Sequence, residues 1–325
     1  MKLTLSQEIW PVAGVFRISR GAVTSVEVLV VEVEQDGLVG RGEACPFRIS
    51  GETIERSRTE LEDLRRRVEG GLDRDQLQEL LGAGAARNAL DCALWDLQSK
   101  REDVPAWRLA GLDGLREIVT AYTISLDEPA LMAEQARGVA DRPLLKVKLG
   151  REGSVARVRA VREAAPQSRI IVDANEAWTV DILEDAAERL DALGVELIEQ
   201  PLPAGEDAAL DSLRLSLPVA ADESCLDRGS LDAVEGRYQF INIKLDKTGG
   251  LTEALALAED AQSRGLRLMV GCMLGTSLAM APASLIGQNC EFVDLDGPLL
   301  LAEDRLPCLR YDRGVLSPPP RELWG

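Results

Sequence analysis

The chain has 325 residues, 46% hydrophobic and 28% charged, with a net charge of −18. That composition builds a large core in one or two domains, and its acidity argues against nucleic acid or anionic membrane as a partner, since both require basic patches. There is no histidine, which rules out a Ser-His-Asp triad, an HExxH zinc site and any histidine base and leaves proton transfer near neutral pH to lysine, carboxylate, cysteine or tyrosine.

The opening MKLTLSQEIWPVAG has no long apolar run ahead of a small-residue cleavage site, so no signal peptide is expected. No stretch approaches the roughly 20 apolar residues of a membrane span. Six cysteines (45, 92, 225, 272, 290 and 308) are scattered with no C-x-x-C pair, which fits thiols in a reducing cytoplasm. SVEVLVVEVEQDGLVGRGEA reads as strands that turn at Gln35-Asp36-Gly37. Helical patterns follow at 52–71, 75–82 and 86–103. The last places Leu90, Ala93, Leu94 and Leu97 on one helical face. Residues 1–112 are therefore expected to form an α+β unit.

After Pro105 the pattern changes. Short apolar strands recur at 119–125, 144–150, 169–175, 195–201, 218–224, 240–247, 267–273 and 292–298, each of the first seven followed by a helical stretch. Eight strands alternating with helices point to a (β/α)8-type barrel over 113–300. No full eighth helix is evident. The tail, 301–325, turns at Asp312-Arg313-Gly314 and is expected to pack back on the first unit.

In such barrels the chemistry sits at the C-terminal strand ends, and here those ends are charged. LLKVKLG carries Lys146 and Lys148 two apart, so both point to one face of the second strand. The third strand ends in Asp173 and Asn175, the fourth in Glu199 and the fifth in Asp222 and Glu223. The sixth ends in Lys244 and the eighth in Asp294 and Asp296. Asp173, Glu199 and Asp222 lie on consecutive strands spaced about 4.8 Å apart, so their carboxylates can converge. An oxygen-only ligand set suits a hard divalent ion, Mg²⁺ before Mn²⁺. Lys148 and Lys244 flank that point from opposite sides, as two bases acting on one carbon of a racemase or epimerase would. Lys146 is expected to depress the pKa of Lys148 by like-charge repulsion and to touch a substrate carboxylate. Asp294 and Asp296, alternate residues on one face, suit a cation.

K-x-K, D-A-N, E-Q-P, A-D-E-S and N-I-K-L-D-K-T-G-G, in this order after an α+β domain, resemble the enolase superfamily and its muconate-lactonising-enzyme subgroup. The resemblance implies a modified (β/α)7β barrel under an N-terminal α+β capping domain that the C-terminal tail completes. It also implies lysine bases working with Mg²⁺. The D-x-D of FVDLDGP resembles dipeptide epimerases, in which two acids hold the substrate's α-ammonium. GCMLGTS and FRISRG are similar to L-Ala-D/L-Glu epimerases. That likeness implies an arginine on the N-terminal loop for the glutamate carboxylate, Arg20 by position with Arg17 and Arg48 as competitors. It also implies a substrate-contacting threonine, Thr123. The substrate so implied is L-Ala-D-Glu, epimerised to L-Ala-L-Glu in cytoplasmic peptidoglycan recycling, and a homo-oligomer is compatible with the family. N-Succinylamino acid racemases, o-succinylbenzoate synthases and epimerases of other dipeptides share the site but differ in substrate. A Schiff-base aldolase with one desolvated lysine and a barrel that only binds a ligand stand as the readings outside this family.

Overall fold

The computed structural model describes residues 1–47 and 51–325. Strands β1 (Lys2–Ile18), β2 (Gly21–Gln35) and β3 (Leu38–Ala44) form an antiparallel sheet. The β2–β3 turn is the expected one: Asp36 and Gly37 both take positive φ, 54° and 80°, the geometry that a two-residue hairpin demands. Helices α1 (Ile54–Glu69), α2 (Arg74–Leu80) and α3 (Ala85–Glu102) cover one face of this sheet. Leu29, Val31 and Val33 of β2 meet Ala89, Leu90 and Ala93 of α3 in a dry core. β1 and β2 are far longer than the helices they carry. Their joining turn at Ser19-Arg20 extends to the barrel, where Arg17 N donates to Ser125 Oγ at 2.6 Å and Ser19 Oγ to Asn175 O at 3.0 Å.

A short helix α4 (Ala106–Leu109) and strand β4 (Ile118–Val119) lead into the barrel. Its strands are β5 (Tyr122–Ile124), β6 (Leu144–Lys148), β7 (Arg169–Asp173), β8 (Val195–Glu199), β9 (Val219–Ala221), β10 (Phe240–Ile243), β11 (Arg267–Val270) and β12 (Phe292–Val293). They pair in parallel in chain order, and the two edges meet where Ala121 N donates to Val293 O at 2.7 Å. Helices α5 (Pro129–Gly138), α6 (Ser154–Ala164) and α7 (Val180–Asp191) connect the first strands. After them come α8 (Leu231–Val234), α9 (Leu245–Thr248), α10 (Leu251–Ser263), α11 (Ser277–Gly287) and the single turn α12 (Gly297–Leu300).

One connection departs from expectation. Between β8 and β9 there is no α-helix, only a 3₁₀ turn at Asp207–Ser212. Pro201, Pro203 and Gly205 open this segment, and proline lacks the N–H that a helix interior needs. The tail forms β13 (Tyr311–Asp312) and β14 (Val315–Leu316), which extend β4 into a small sheet. Trp324 Nε1 then donates to Cys92 O and Gly325 N to Asp96 Oδ1, both on α3.

Strand parity fixes the barrel interior. Ala121, Leu144, Ile171, Leu197, Ala220, Phe240, Met269 and Phe292, one from each strand or its leading residue, close into an apolar plug. Phe240 is central, with its ring 5.4 Å from that of Phe292. Phe240→Ala is expected to cost about 3–5 kcal/mol, read as a lower midpoint in chemical denaturation.

Candidate active site

Because side chains alternate along a strand, the plug dictates what lies above it. Two residues further on come Thr123, Lys146, Asp173, Glu199, Asp222, Asn242, Gly271 and Asp294. Two further still come Lys148, Lys244 and Asp296, among others. Every charged member of both layers is buried. β6 and β10 are four places apart in a closed ring of eight, so Lys148 and Lys244 stand on opposite walls.

Both lysines line a cavity of about 110 Å³ together with Thr123, Lys146, Asp294 and Asp296. The capping domain closes it with Phe16, Ile18, Arg20 and Phe47. Asp173, Glu199 and Asp222 do not line it; lysines stand over them. Lys148 Nζ lies 2.6 Å from Asp173, Lys244 Nζ 2.6 Å from Asp222, and Lys146 Nζ 2.7 Å from Glu199 and 3.2 Å from Asp173. Among the described residues no three His, Cys, Asp or Glu side chains close on one point as a finished metal cage. The three expected carboxylates are adjacent, Asp173 directly opposite Glu199 in the strand register, but ammonium groups bridge them.

The electrostatics expose an imbalance. Six buried carboxylates (Asp173, Glu199, Asp222, Glu223, Asp294, Asp296) face four buried lysines (146, 148, 244, 247) and the part-exposed Arg20 on Glu223. Burial pushes Glu199 up to about 7, helped by repulsion from Asp173. Burial and then Asp222 push Glu223 to about 7, and burial and then Asp294 push Asp296 to about 7. Burial works against charge on Asp173 as well, but Lys148 and Lys146 outweigh it and hold the group below the usual carboxylate range. Glu199 Oε2 is buried with no hydrogen bond, despite the nearby Lys146 charge. An excess of buried carboxylate, all of it oxygen, fits a hard divalent cation.

Lys146 is surrounded by carboxylates: Asp294 at 2.8 Å joins Glu199 and Asp173 around it. Burial disfavours its charge, but these carboxylates prevail and hold its pKa well above the ordinary value. Lys244 is likewise raised: burial opposes the charge and Asp222 overrides it. Lys146 is thus a fixed cation holding the carboxylate layer together.

At the eighth strand Asp296 Oδ2 accepts from Thr123 N at 2.6 Å, so Thr123 orients an acid as well as lining the cavity. Asp294 Oδ1 is buried with no hydrogen-bond donor, an acceptor turned to whatever enters. The arginines separate clearly. Arg17 pairs outside the cavity with Asp127 at 3.1 Å. Arg20 lines the cavity and reaches Glu223 at 2.6 Å, Glu176 at 2.9 Å and Asn175 O at 3.0 Å. Arg48 lies outside the described residues.

Three residues escaped the sequence reading. Asn242 Nδ2 donates to Glu199 Oε1 at 2.8 Å. Lys247 Nζ donates to Asp222 Oδ1 at 2.7 Å and to Cys225 O and Asn242 O. Gly271 leaves room for Lys244: a Cβ there would lie 3.0 Å from Lys244 Cε. Parity with Phe240 and Met269 would have found Asn242 and Gly271. Lys247 sits beyond its strand, on α9, and had no such signal.

Comparison with known proteins agrees with this geometry. Residues 1–111 match the N-terminal domain of mandelate racemase / muconate lactonizing enzyme, and residues 131–319 match the enolase C-terminal domain-like family. The chain is 45% identical over 312 residues to the L-Ala-D/L-Glu epimerase of Escherichia coli K12, covering 95% of this chain and 97% of that one. It is also 45% identical over 300 residues to an N-acetyl-D-glutamate racemase of a Pseudoalteromonas species, covering 92% and 95%. Among solved structures, an enolase family member from Agrobacterium tumefaciens, with bound sodium and L-Ala-L-Glu, superposes with a TM-score of 0.98 at 48% identity, covering 99% of each chain. With this buried lysine–carboxylate layer above an apolar plug, the chain belongs to the mandelate racemase / muconate lactonizing enzyme group of the enolase superfamily.

Proposed function

We propose that this enzyme epimerises dipeptides, L-Ala-D-Glu to L-Ala-L-Glu above others, by moving one α-proton between two lysines. The observation that carries the reading is Lys148 and Lys244 on opposite walls of one small cavity. One lysine takes the α-proton from one face of the carbon, and the other delivers a proton to the opposite face. The new C–H bond replaces the old one and the configuration inverts. Each lysine ends in the protonation state in which its partner began, so reversal resets the site.

Mg²⁺, held by Asp173, Glu199 and Asp222, would supply Lewis-acid stabilisation of negative charge on the substrate carboxylate. Asn242 and Lys247 orient Glu199 and Asp222 for that role. Asp294 and Asp296 receive the substrate's ammonium, and Arg20 faces its side-chain carboxylate. Phe16, Ile18 and Phe47 exclude water. The same reading divides the chain into a cap (1–112), a catalytic barrel (113–300) and a returning tail (301–325). It places the enzyme in the cytoplasm, in peptidoglycan recycling.

A second reading is racemisation of an N-acylated glutamate. It is favoured by Lys146, which already pairs with Asp294 at 2.8 Å and so offsets part of the charge a substrate ammonium would meet. Proton NMR in D₂O with Mg²⁺ separates the two. Loss of the glutamate α-proton of L-Ala-D-Glu with appearance of the L,L diastereomer supports the dipeptide. Turnover of N-acetylglutamate alone, unaffected by Asp296→Asn, would replace it with the acyl substrate.

A further inference from the structure

The motif N-I-K-L-D-K-T-G-G continues past the base Lys244, and the site chemistry accounts for nothing after Lys247. Those residues meet the capping domain. Arg87 Nη2 on α3 donates to Thr248 O at 2.7 Å and its Nε to Gly249 O at 3.1 Å. Asn88 Nδ2 donates to Asp246 Oδ1 at 3.0 Å, and Cys45 N adds a second bond to the same oxygen at 2.9 Å. Asp91 accepts from Thr252 N at 3.0 Å and from Thr252 Oγ1 at 2.6 Å.

These α3 residues fall at positions i, i+1 and i+4, on one side of the helix. The two glycines exist for this contact. Gly249 and Gly250 have φ of 78° and 114°, and a Cβ on them would lie 2.4 Å from Arg87 Nε and 2.5 Å from Asp91 Oδ2. Arg87, Asn88 and Asp91 are each buried. Lys244 is the residue that caps α9, so the clamp seizes the turn its side chain springs from. Lys148 has no such attachment: among the described residues no hydrogen bond joins its strand, β6, to the capping domain.

We infer that the α3 face formed by Arg87, Asn88 and Asp91 is a positioning device for Lys244 alone, so that the capping domain sets the geometry of one of the two bases. The three residues touch no substrate and act through the Lys244 turn. This deepens the two-lysine reading and rests on it.

The test uses α-proton exchange in D₂O, measured separately on the two diastereomers in the Mg²⁺-loaded full-length protein. In the two-base reading Lys244→Ala abolishes exchange on one diastereomer, and this assigns that diastereomer to Lys244. Asn88→Ala and Arg87→Gln are then expected to slow exchange on that same diastereomer by about ten- to a hundredfold, the cost of a small misplacement of a reacting group. Exchange on the other diastereomer should change less than about twofold, within that same geometric argument. Arg87→Lys, which keeps a donor to the two carbonyls, should recover part of the loss. Equal loss on both diastereomers, or no loss on either, overturns the inference. Where Arg87→Gln does not fold by thermal melting, the smaller Asn88→Ala decides. Absence of exchange in the wild-type protein on any dipeptide would instead defeat the epimerase reading, a distinct result.

Discussion

Lys148→Ala and Lys244→Ala are each expected to abolish measurable epimerisation while leaving half of the proton chemistry intact. A positioned acid or base contributes about 10²–10⁴-fold, and in the proposed mechanism each lysine performs a step that the other cannot reach from its own wall. The variant keeps one base and can still exchange the α-proton of the diastereomer whose C–H bond faces it, without inverting the carbon. The two variants should therefore show complementary exchange in D₂O, one on each diastereomer. Exchange on both diastereomers in either variant would overturn two-base chemistry and point to a single mobile base. Neither substitution should unfold the chain, since each ammonium sits at the cavity and not in the plug. Each removes one of two ammonium partners of a buried carboxylate, leaving Asp173 to Lys146 and Asp222 to Lys247, so a lower melting temperature is the expected side effect.

Chelation is expected to be as damaging. Dialysis against EDTA should remove activity by about 10²-fold or more, the several kcal/mol a divalent ion contributes to charge development, and Mg²⁺ should restore it. The reason lies in the charge inventory: at this site six buried carboxylates outnumber the four buried lysines. A cation that relieves this excess binds the folded state preferentially. Added Mg²⁺ should therefore raise the melting temperature in proportion to the logarithm of its concentration. Activity that survives EDTA, together with a melting temperature indifferent to Mg²⁺, would count against the assignment of Asp173, Glu199 and Asp222 to the metal.

The sequence by itself determined the barrel, its strand positions and the chemistry of its mouth. Apolar runs ending in charge are a local signal, and alternation along a strand carries that signal straight into the barrel interior. Lys146 and Lys148, Asp173, Glu199, Asp222, Lys244, Asp294 and Asp296 all lie where parity sends them. The turns at Asp36-Gly37 and Arg313-Gly314 were equally local, because Gly37 and Gly314 take positive φ without steric cost. The expected helix between β8 and β9 is a 3₁₀ turn instead, because Pro201 and Pro203 open that segment.

Tertiary structure decided what no local pattern holds. It put Arg20 in the cavity wall and Arg17 outside it on Asp127, because the β1–β2 hairpin tip must land on the loop after β7 before either arginine has a direction. It made Lys146 a buried cation ringed by Glu199, Asp173 and Asp294, because Asp294 arrives from a strand 148 residues away. It also gave α3 its grip on the Lys244 turn, across a separation of about 160 residues. In each case the deciding partner is remote in sequence. A charge in a low-dielectric interior takes its role from whichever opposite charge the closed barrel brings beside it.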